Sequence, residues 1–137
     1  MNRIKYDSEL MGLMNLFESM THAKVKDCIA DDKIILVLEE GEMGKAIGKN
    51  GANIRMMENK LKKKIKLVAF SNDVSQFVRN VLHPIEVLNV ENKDGHIVIQ
   101  GKDTGTKSMI IGRNHQNLNH LHELTKRYFD VKEINVV

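Results

Sequence analysis

One stretch decides the fold of this chain: Ile47-Gly48-Lys49-Asn50-Gly51-Ala52-Asn53-Ile54, in which a G-x-x-G loop separates two segments of helical pattern. Glycine allows the main chain to turn with positive φ and to approach a ligand closely. Between the two glycines, Lys49 offers a cation and Asn50 offers an amide. The N–H groups that open the following helix also favour negative charge. The stretch therefore predicts a site for an extended polyanion.

An altered copy of this stretch occurs later in the chain, as Ile111-Gly112-Arg113-Asn114-His115-Gln116-Asn117-Leu118. The offset between the two copies, from Gly48 to Gly112, is 64 residues. Repetition at a fixed offset indicates two copies of one structural module. We therefore predict two domains, over residues 1–71 and 72–137.

The first copy is predicted to follow the order helix, strand, strand, helix, loop, helix, strand. Its opening helix carries apolar residues at i, i+3, i+4 and i+7, and either Asp7 or Ser8 is expected to cap it. The predicted elements are this helix to about Thr21, strands over 23–29 and 33–39 separated by Asp31-Asp32, a short segment carrying Met43, Ala46 and Ile47, a helix marked by Ile54, Met57 and Leu61, and a strand over 65–69.

The second copy repeats this order. Pro84 ends its first helix, because proline disfavours a helical conformation at the residue before it. The pair Asp94-Gly95 is typical of a tight β-hairpin. The predicted elements are a helix with a stripe of Val74, Phe77, Val78 and Val81, strands over 85–90 and 96–100, the loop over 111–115, a helix carrying Leu118, Leu121, Leu124 and Tyr128, and a strand over 131–137.

Positive charge is concentrated beside the first loop. The segment 45–66 has eight basic residues and one acidic residue, Glu58, which gives it a net charge of +7, although the whole chain carries only +3. A basic segment in an otherwise acidic chain is typical of nucleic-acid binding. The basic residues are Lys45, Lys49, Arg55, Lys60, Lys62, Lys63, Lys64 and Lys66.

Composition excludes several classes of protein. The 137 residues contain no apolar run long enough to span a membrane, and the amino terminus does not resemble a signal peptide, so we expect a cytoplasmic protein with no membrane partner. Cys28 is the only cysteine, which excludes an intrachain disulfide. We therefore expect Cys28 to be a small residue of the core. With no tryptophan and 4% aromatic residues, the chain does not fit modules that stack bases on aromatic side chains.

Enzymatic and metal-binding patterns are also weak. The segment 44–50 has one residue too few between its glycines for a P-loop, and Asn50 lacks the hydroxyl group that would bind Mg²⁺. His120 and His122 point apart on one helix and, with His115, are not accompanied by a zinc-binding motif. We therefore predict no catalytic residues, no metal site and no cofactor.

The Ile-Gly-Lys-Asn-Gly and Ala-Asn-Ile segments, the altered repeat and the order of elements resemble tandem KH domains of the prokaryotic kind, called type II. Over essentially the whole chain, the sequence is similar to the family of archaeal NusA-like transcription factors. The resemblance implies an α+β fold with two tandem domains. Each would have the order helix, strand, strand, helix, helix, strand, with a three-stranded sheet covered by helices on one face.

The resemblance also implies a function, which is binding of single-stranded RNA in transcription elongation, termination or antitermination. The G-x-x-G loop of a KH domain clamps the backbone of about four nucleotides. RNA polymerase or other transcription factors would be further partners, and the protein is expected to be a monomer. The predicted RNA-binding residues are Lys45, Ile47, Gly48, Lys49, Asn50, Gly51, Asn53, Ile54, Arg55, Gly112, Arg113, Asn114, His115 and Asn117.

Alternatives remain at this stage. The chain could be a ribosome-associated or RNA-processing KH protein, or a protein interaction adaptor in which G-x-x-G is only a tight turn. His115 could weaken the second loop by crowding a phosphate, or could contact the phosphate in its protonated form. The lysines over 60–64 fit either RNA contact or a solvated surface, and Ile47, Ile54, Ile111 and Leu118 fit either a groove floor or the core.

Overall fold

The computed structural model describes residues 3–30 and 33–137. The chain forms two compact units, Met1–Phe70 and Ser71–Val137. In the first unit, the elements are α1 (Arg3–Thr21), β1 (Val25–Ala30), β2 (Ile34–Leu38), α2 (Met43–Ile47), a 3₁₀ turn (Lys49–Gly51), α3 (Ala52–Leu61) and β3 (Ile65–Ala69). The predicted order of elements is confirmed. The predicted separator Asp31-Asp32 lies outside the described residues.

The sheet of the first unit has the strand order β1-β2-β3. β2 pairs antiparallel with β1 and parallel with β3, with Leu36 opposite both Cys28 and Leu67. Parallel strands need a long crossover connection, and here α2, the 3₁₀ turn and α3 provide it. Leu36 and Cys28 are buried in one core cluster with Phe17 of α1 and Met57 of α3. The crossover is thus anchored on the sheet, and it carries the first G-x-x-G loop.

The start of α1 differs from the prediction. The helix begins at Arg3, so Asp7 and Ser8 lie inside it rather than at its amino-terminal cap. The segment before Asp7 contains neither glycine nor proline, and lysine and arginine have good helix propensity. No local signal therefore stops the helix from extending towards the amino terminus, and the capping prediction was wrong.

The second unit repeats the architecture. Its elements are α4 (Val74–Leu82), β4 (Val87–Lys93), β5 (His96–Gly101), α5 (Thr104–Ile111), a 3₁₀ turn (Arg113–His115), α6 (Gln116–Lys126) and β6 (Glu133–Val136). β5 pairs antiparallel with β4 and parallel with β6. The predicted hairpin is confirmed, since Asp94 and Gly95 have φ of 52° and 90° between paired Lys93 and His96. Helix α4 ends at Leu82, two residues before Pro84, as predicted.

Several boundaries in the second unit differ from the prediction. β4 begins at Val87 rather than at residue 85, and β6 begins at Glu133 rather than at residue 131. Tyr128 lies beyond α6 instead of on it. Its ring contacts the buried Phe77 edge to face, with centroids 5.6 Å apart. Tyr128 therefore follows the apolar spacing because it packs on the core, although the chain has already left the helix.

Among residues 3–30 and 33–137, no helix combines the length and apolar character needed to cross a membrane.

Candidate nucleic-acid interface

The first G-x-x-G loop joins α2 to α3 in a conformation that depends on positive φ. The φ values are 75° at Gly48, 55° at Asn50 and 74° at Gly51. The loop closes on itself, because the Gly51 N–H donates to the Gly48 carbonyl at 3.3 Å. The Gly48 N–H donates back to Gly44 of α2 at 3.1 Å. Two glycines and one asparagine occupy these positions, which are the residue types that adopt positive φ most readily.

The side chains of this loop face solvent while its flanks are anchored in the core. Ala46 of α2 and Met57 of α3 are buried, whereas Lys49 and Asn50 are exposed. Ile47, immediately before the loop, is 38% exposed. An exposed aliphatic side chain next to an exposed cation fits the edge of a nucleic-acid groove, where bases and phosphates lie side by side.

The side chain of Asn53 links the two helices that flank the first loop. Its Nδ2 donates to the Lys45 carbonyl at 3.0 Å, which ties the first turn of α3 to the last turn of α2. The Ala52 N–H donates to the Lys49 carbonyl within the loop. This first amide of α3 already has a partner, so it is not available to a phosphate as the sequence suggested.

Three cations were predicted to surround the first loop, and the structure distinguishes them. Lys45 Nζ lies 3.4 Å from Glu42 Oε2, while the other oxygen of Glu42 accepts the Lys24 N–H at 2.8 Å. This backbone hydrogen bond, together with the Lys45 ammonium, lowers the pKa of the Glu42 carboxyl from its ordinary value of 4.5. Within the described parts of the chain, Lys49 and Arg55 form no ion pair. Lys49 and Arg55 are therefore better placed than Lys45 to meet a phosphate.

Glu42 was not predicted as part of the site. The signal was present in the sequence, since Glu42 and Lys45 are three residues apart and such pairs meet on a helix surface.

The remaining lysines lie away from the loop. Ten residues of helix separate Gly51 from Lys62, which corresponds to about 15 Å. Lys60, Lys62, Lys63 and Lys64 are exposed at this far end of α3. On the adjacent strand β3, burial lowers the pKa of Lys66, and the charge of Lys33 lowers it further. The basic segment is thus continuous in sequence, but in the first unit its cations form two groups, one beside the loop and one at the far end of α3.

The second loop has nearly the same backbone as the first. The φ values are 76° at Gly112, 55° at Asn114 and 61° at His115. The His115 N–H donates to the Gly112 carbonyl at 3.2 Å, and Asn117 Nδ2 donates to the Met109 carbonyl at 2.9 Å. Histidine thus occupies the left-handed position of Gly51, and the loop geometry is kept despite this exchange.

The second loop has lost most of the charge of the first. At the same offset, Arg113 replaces Lys49, Met109 replaces Lys45 and Asn119 replaces Arg55. Met109 is 53% exposed, so an uncharged side chain occupies the solvent position that Lys45 holds in the first unit. One cation remains where the first loop has three.

The other candidate sites have no support from the geometry. The described residues contain no group of three or more His, Cys, Asp or Glu side chains placed to share a metal ion. Cys28 is 1% exposed in the core of the first unit, as predicted.

Known proteins resemble this chain in sequence and in fold. The model of the KH domain family matches residues 14–84, which is more than half of the sequence. "Probable transcription termination protein NusA" of Methanococcus vannielii is 38% identical, over 98% of this chain and 80% of that protein. The protein of the same name from Halobacterium salinarum is 31% identical, over 97% of this chain and 98% of that protein.

A solved crystal structure, that of APE1850, has a similar fold. It superposes with a TM-score of 0.73 at 26% sequence identity and covers 94% of this chain and 98% of its own. The chain therefore belongs to the KH domain family and, within that family, to the NusA-like proteins of archaea.

Proposed function

We propose that this protein binds single-stranded RNA and acts in transcription elongation, termination or antitermination. The observation that carries the proposal is the exposed first G-x-x-G loop, set between two anchored helices with Lys49 and Arg55 beside it. A KH domain uses this loop to clamp the backbone of about four nucleotides. The role in transcription is supported by the relatives, which bear the name of a transcription termination protein.

In this proposal, residues 1–71 and 72–137 are two type II KH domains. The support is the order helix, strand, strand, helix, helix, strand, which occurs once in each compact unit. In the type II arrangement, a helix and a strand pair precede the helix-loop-helix, as they do here in both units.

The first unit is proposed to be the main RNA site. Gly48 and Gly51 give the phosphates access to the main chain, Lys49 and Arg55 supply charge, and Asn50 supplies an amide. Ile47 and Ile54 line the edge where bases would lie. In the second unit, Gly112, Arg113, Asn114 and His115 offer the same path with less charge. No catalytic step is needed for this activity.

The protein partners proposed here are inferred from the role in transcription and not from a particular surface of the protein. A transcription factor of this type would work in the cytoplasm beside nascent RNA, and RNA polymerase or another transcription factor is the expected protein partner. A monomer is sufficient for RNA binding, because each unit carries a complete loop with its two flanking helices.

Salt-dependent binding of a labelled single-stranded RNA tests the proposal. If four to six phosphates are contacted, log K should fall against log salt with a slope of about −3 to −4. The double variant Lys49→Asp/Asn50→Asp should lose most of the affinity. A matched control is Lys132→Asp/Asn135→Asp, which makes the same charge change at exposed positions of the second unit. Full affinity in the loop variant, or equal losses in both variants, would contradict the proposal and favour a protein interaction adaptor.

A further inference from the structure

The two loops share one hydrogen bond that the G-x-x-G pattern does not describe. Asn53 Nδ2 donates to the Lys45 carbonyl at 3.0 Å, and Asn117 Nδ2 donates to the Met109 carbonyl at 2.9 Å. In both units the bond joins the helix that follows the loop to the helix that precedes it. The backbone φ values of the two loops agree within 1° at the first and third positions, 48 and 112 and 50 and 114, and within 13° at the fourth, 51 and 115. The remaining loop sequence differs in charge and in side-chain size.

The same asparagine leaves no space for a side chain at the first loop position, in addition to the backbone conformation there, which is essentially restricted to glycine. A Cβ atom added to Gly48 would lie 2.7 Å from both Cγ and Nδ2 of Asn53. A Cβ atom added to Gly112 would lie 2.6 Å from Cγ of Asn117. These distances are shorter than any ordinary contact. The amide can reach across the loop because the bare Cα of the glycine leaves room for it.

The fourth loop position has a weaker requirement. A Cβ atom added to Gly51 would meet only the flexible end of Arg55, with Nη1 at 3.3 Å. His115 demonstrates that a side chain fits at this position, since it holds φ of 61° in the second loop. The fourth position therefore needs a left-handed conformation, whereas the first position, with φ of 75° and ψ of 176° at Gly48, has a conformation that is essentially restricted to glycine and also needs empty space.

We propose that Asn53 and Asn117 are positioning residues of the two loops. Each amide fixes the angle between the two helices that flank its loop, and it fills the space beside the Cα atom of residue 48 or 112, whereas only the flexible end of Arg55 lies beside residue 51. The consequence for affinity rests on the proposed RNA site, because a fixed loop loses less conformational entropy when a strand binds. The effect on the loop itself exists in the free protein. Asn53 thus acts on RNA through the loop rather than by direct contact.

Amide exchange with solvent, measured by NMR in the protein without RNA, tests this role. Asn53→Leu preserves the branched shape of the side chain and removes the donor. Losing one hydrogen bond should speed exchange of the Gly51 and Gly48 amides by about 2- to 10-fold. Asn59→Leu on the exposed side of the same helix is the matched control and should leave these rates unchanged. Unchanged loop exchange in Asn53→Leu would overturn the proposal.

The second unit gives an independent test, because Asn117 has uncharged residues, Met109 and Asn119, where the first unit has Lys45 and Arg55. Asn117→Leu should speed exchange of the His115 and Gly112 amides, and the exposed control Asn119→Leu should not. Asn53→Ala, which removes bulk as well as the donor, serves if the leucine variant lowers the unfolding temperature globally.

An RNA measurement on the same variants separates this proposal from the proposed function. If Asn53→Leu weakens RNA binding while loop exchange stays at the parent rate, Asn53 contacts RNA directly and the positioning role is wrong. If loop exchange increases but neither the parent nor the variants bind RNA, the positioning role stands and the proposed function fails.

Discussion

The two helix-loop-helix segments of this protein have nearly the same backbone conformation but carry different charges. Their loops share the same positive-φ path and the same asparagine bond, even though the second has histidine where the first has glycine. They differ in what surrounds that path, since three cations flank the first loop and one flanks the second. The comparison teaches that, in these two loops, the residues that set the backbone shape are not the residues that set the local charge.

The largest expected effect comes from reversing charge in one loop at a time. Lys49→Asp/Asn50→Asp should weaken RNA binding by about 10- to 100-fold, because charged hydrogen bonds to phosphate are replaced by repulsion. Arg113→Asp/Asn114→Asp makes the same change in the second loop and should cost only a few-fold, in keeping with its lower charge. Fluorescence anisotropy with a short single-stranded RNA measures both. A larger loss from the second pair would reverse the proposed ranking.

Glycine substitutions should separate the first and fourth positions of the loop. Gly48→Ala should destabilise the protein by about 2 kcal/mol or more, since a residue with a Cβ must adopt strained φ and also meets Asn53. Gly51→His copies the second loop into the first and should cost about 1 kcal/mol, the penalty of a left-handed conformation. Chemical denaturation followed by circular dichroism measures both. Equal costs would show that space beside the first glycine is not limiting.

The helices that precede the loops are also supported differently. Asp103 caps the eight-residue α5 by accepting the Thr106 N–H at 2.8 Å, a bond that lowers the pKa of its carboxyl. The five-residue α2 has no side-chain cap. Asp103→Ala should therefore cost about 1 kcal/mol, while Asp103→Asn should keep most of the stability. An unfolding midpoint for Asp103→Ala equal to that of the parent would show that α5 does not depend on its cap.

The smallest expected effect comes from Glu42, whose ion pair with Lys45 is proposed to compete with RNA for that lysine. Glu42→Gln keeps an oxygen for the Lys24 N–H and removes the negative charge, so RNA affinity should rise by about 2-fold at low salt. A weaker affinity would show that Glu42 orders Lys45 for binding instead of competing.

The stability of Glu42→Gln should also depend on pH differently from that of the parent. The pKa of Glu42 is lowered in the folded protein, so its contribution to stability is present above its ordinary value of 4.5 and is lost as the pH falls through the lowered folded value. Glu42→Gln should therefore lose less stability than the parent on acidification below about pH 5. Thermal unfolding followed over pH 3 to 7 measures the difference, and parallel curves would contradict the assignment.

Much of the fold could be predicted because its signals are local. The glycines of the two loops, the Asp94-Gly95 hairpin and the helix-ending Pro84 each impose a backbone conformation, so the order of elements followed from them. The start of α1 could not be predicted in this way, since residues before Asp7 allow a helix and nothing in the sequence stops it.

The candidate site was predictable in position but not in the division of roles. Asn53 fits an RNA contact as well as a positioning residue when only the sequence is known, and the structure adds that its Nδ2 donates to the Lys45 carbonyl, which is the basis of the positioning role proposed above. Lys45, Lys49 and Arg55 look equivalent as a charge run, but the spacing of three residues between Glu42 and Lys45 already indicated the ion pair that distinguishes Lys45 in the structure. Tyr128 shows the same limit, since its spacing reports contact with the core rather than membership of α6.

The central claim is that two loops of equal shape bind RNA unequally because of charge. The most direct test compares the salt dependence of RNA binding for the parent, Lys49→Gln and Arg113→Gln. The parent slope should be about −3 to −4, Lys49→Gln should make it shallower by about 0.7, and Arg113→Gln should change it much less. A flat slope for the parent, or equal changes in the two variants, would contradict the account.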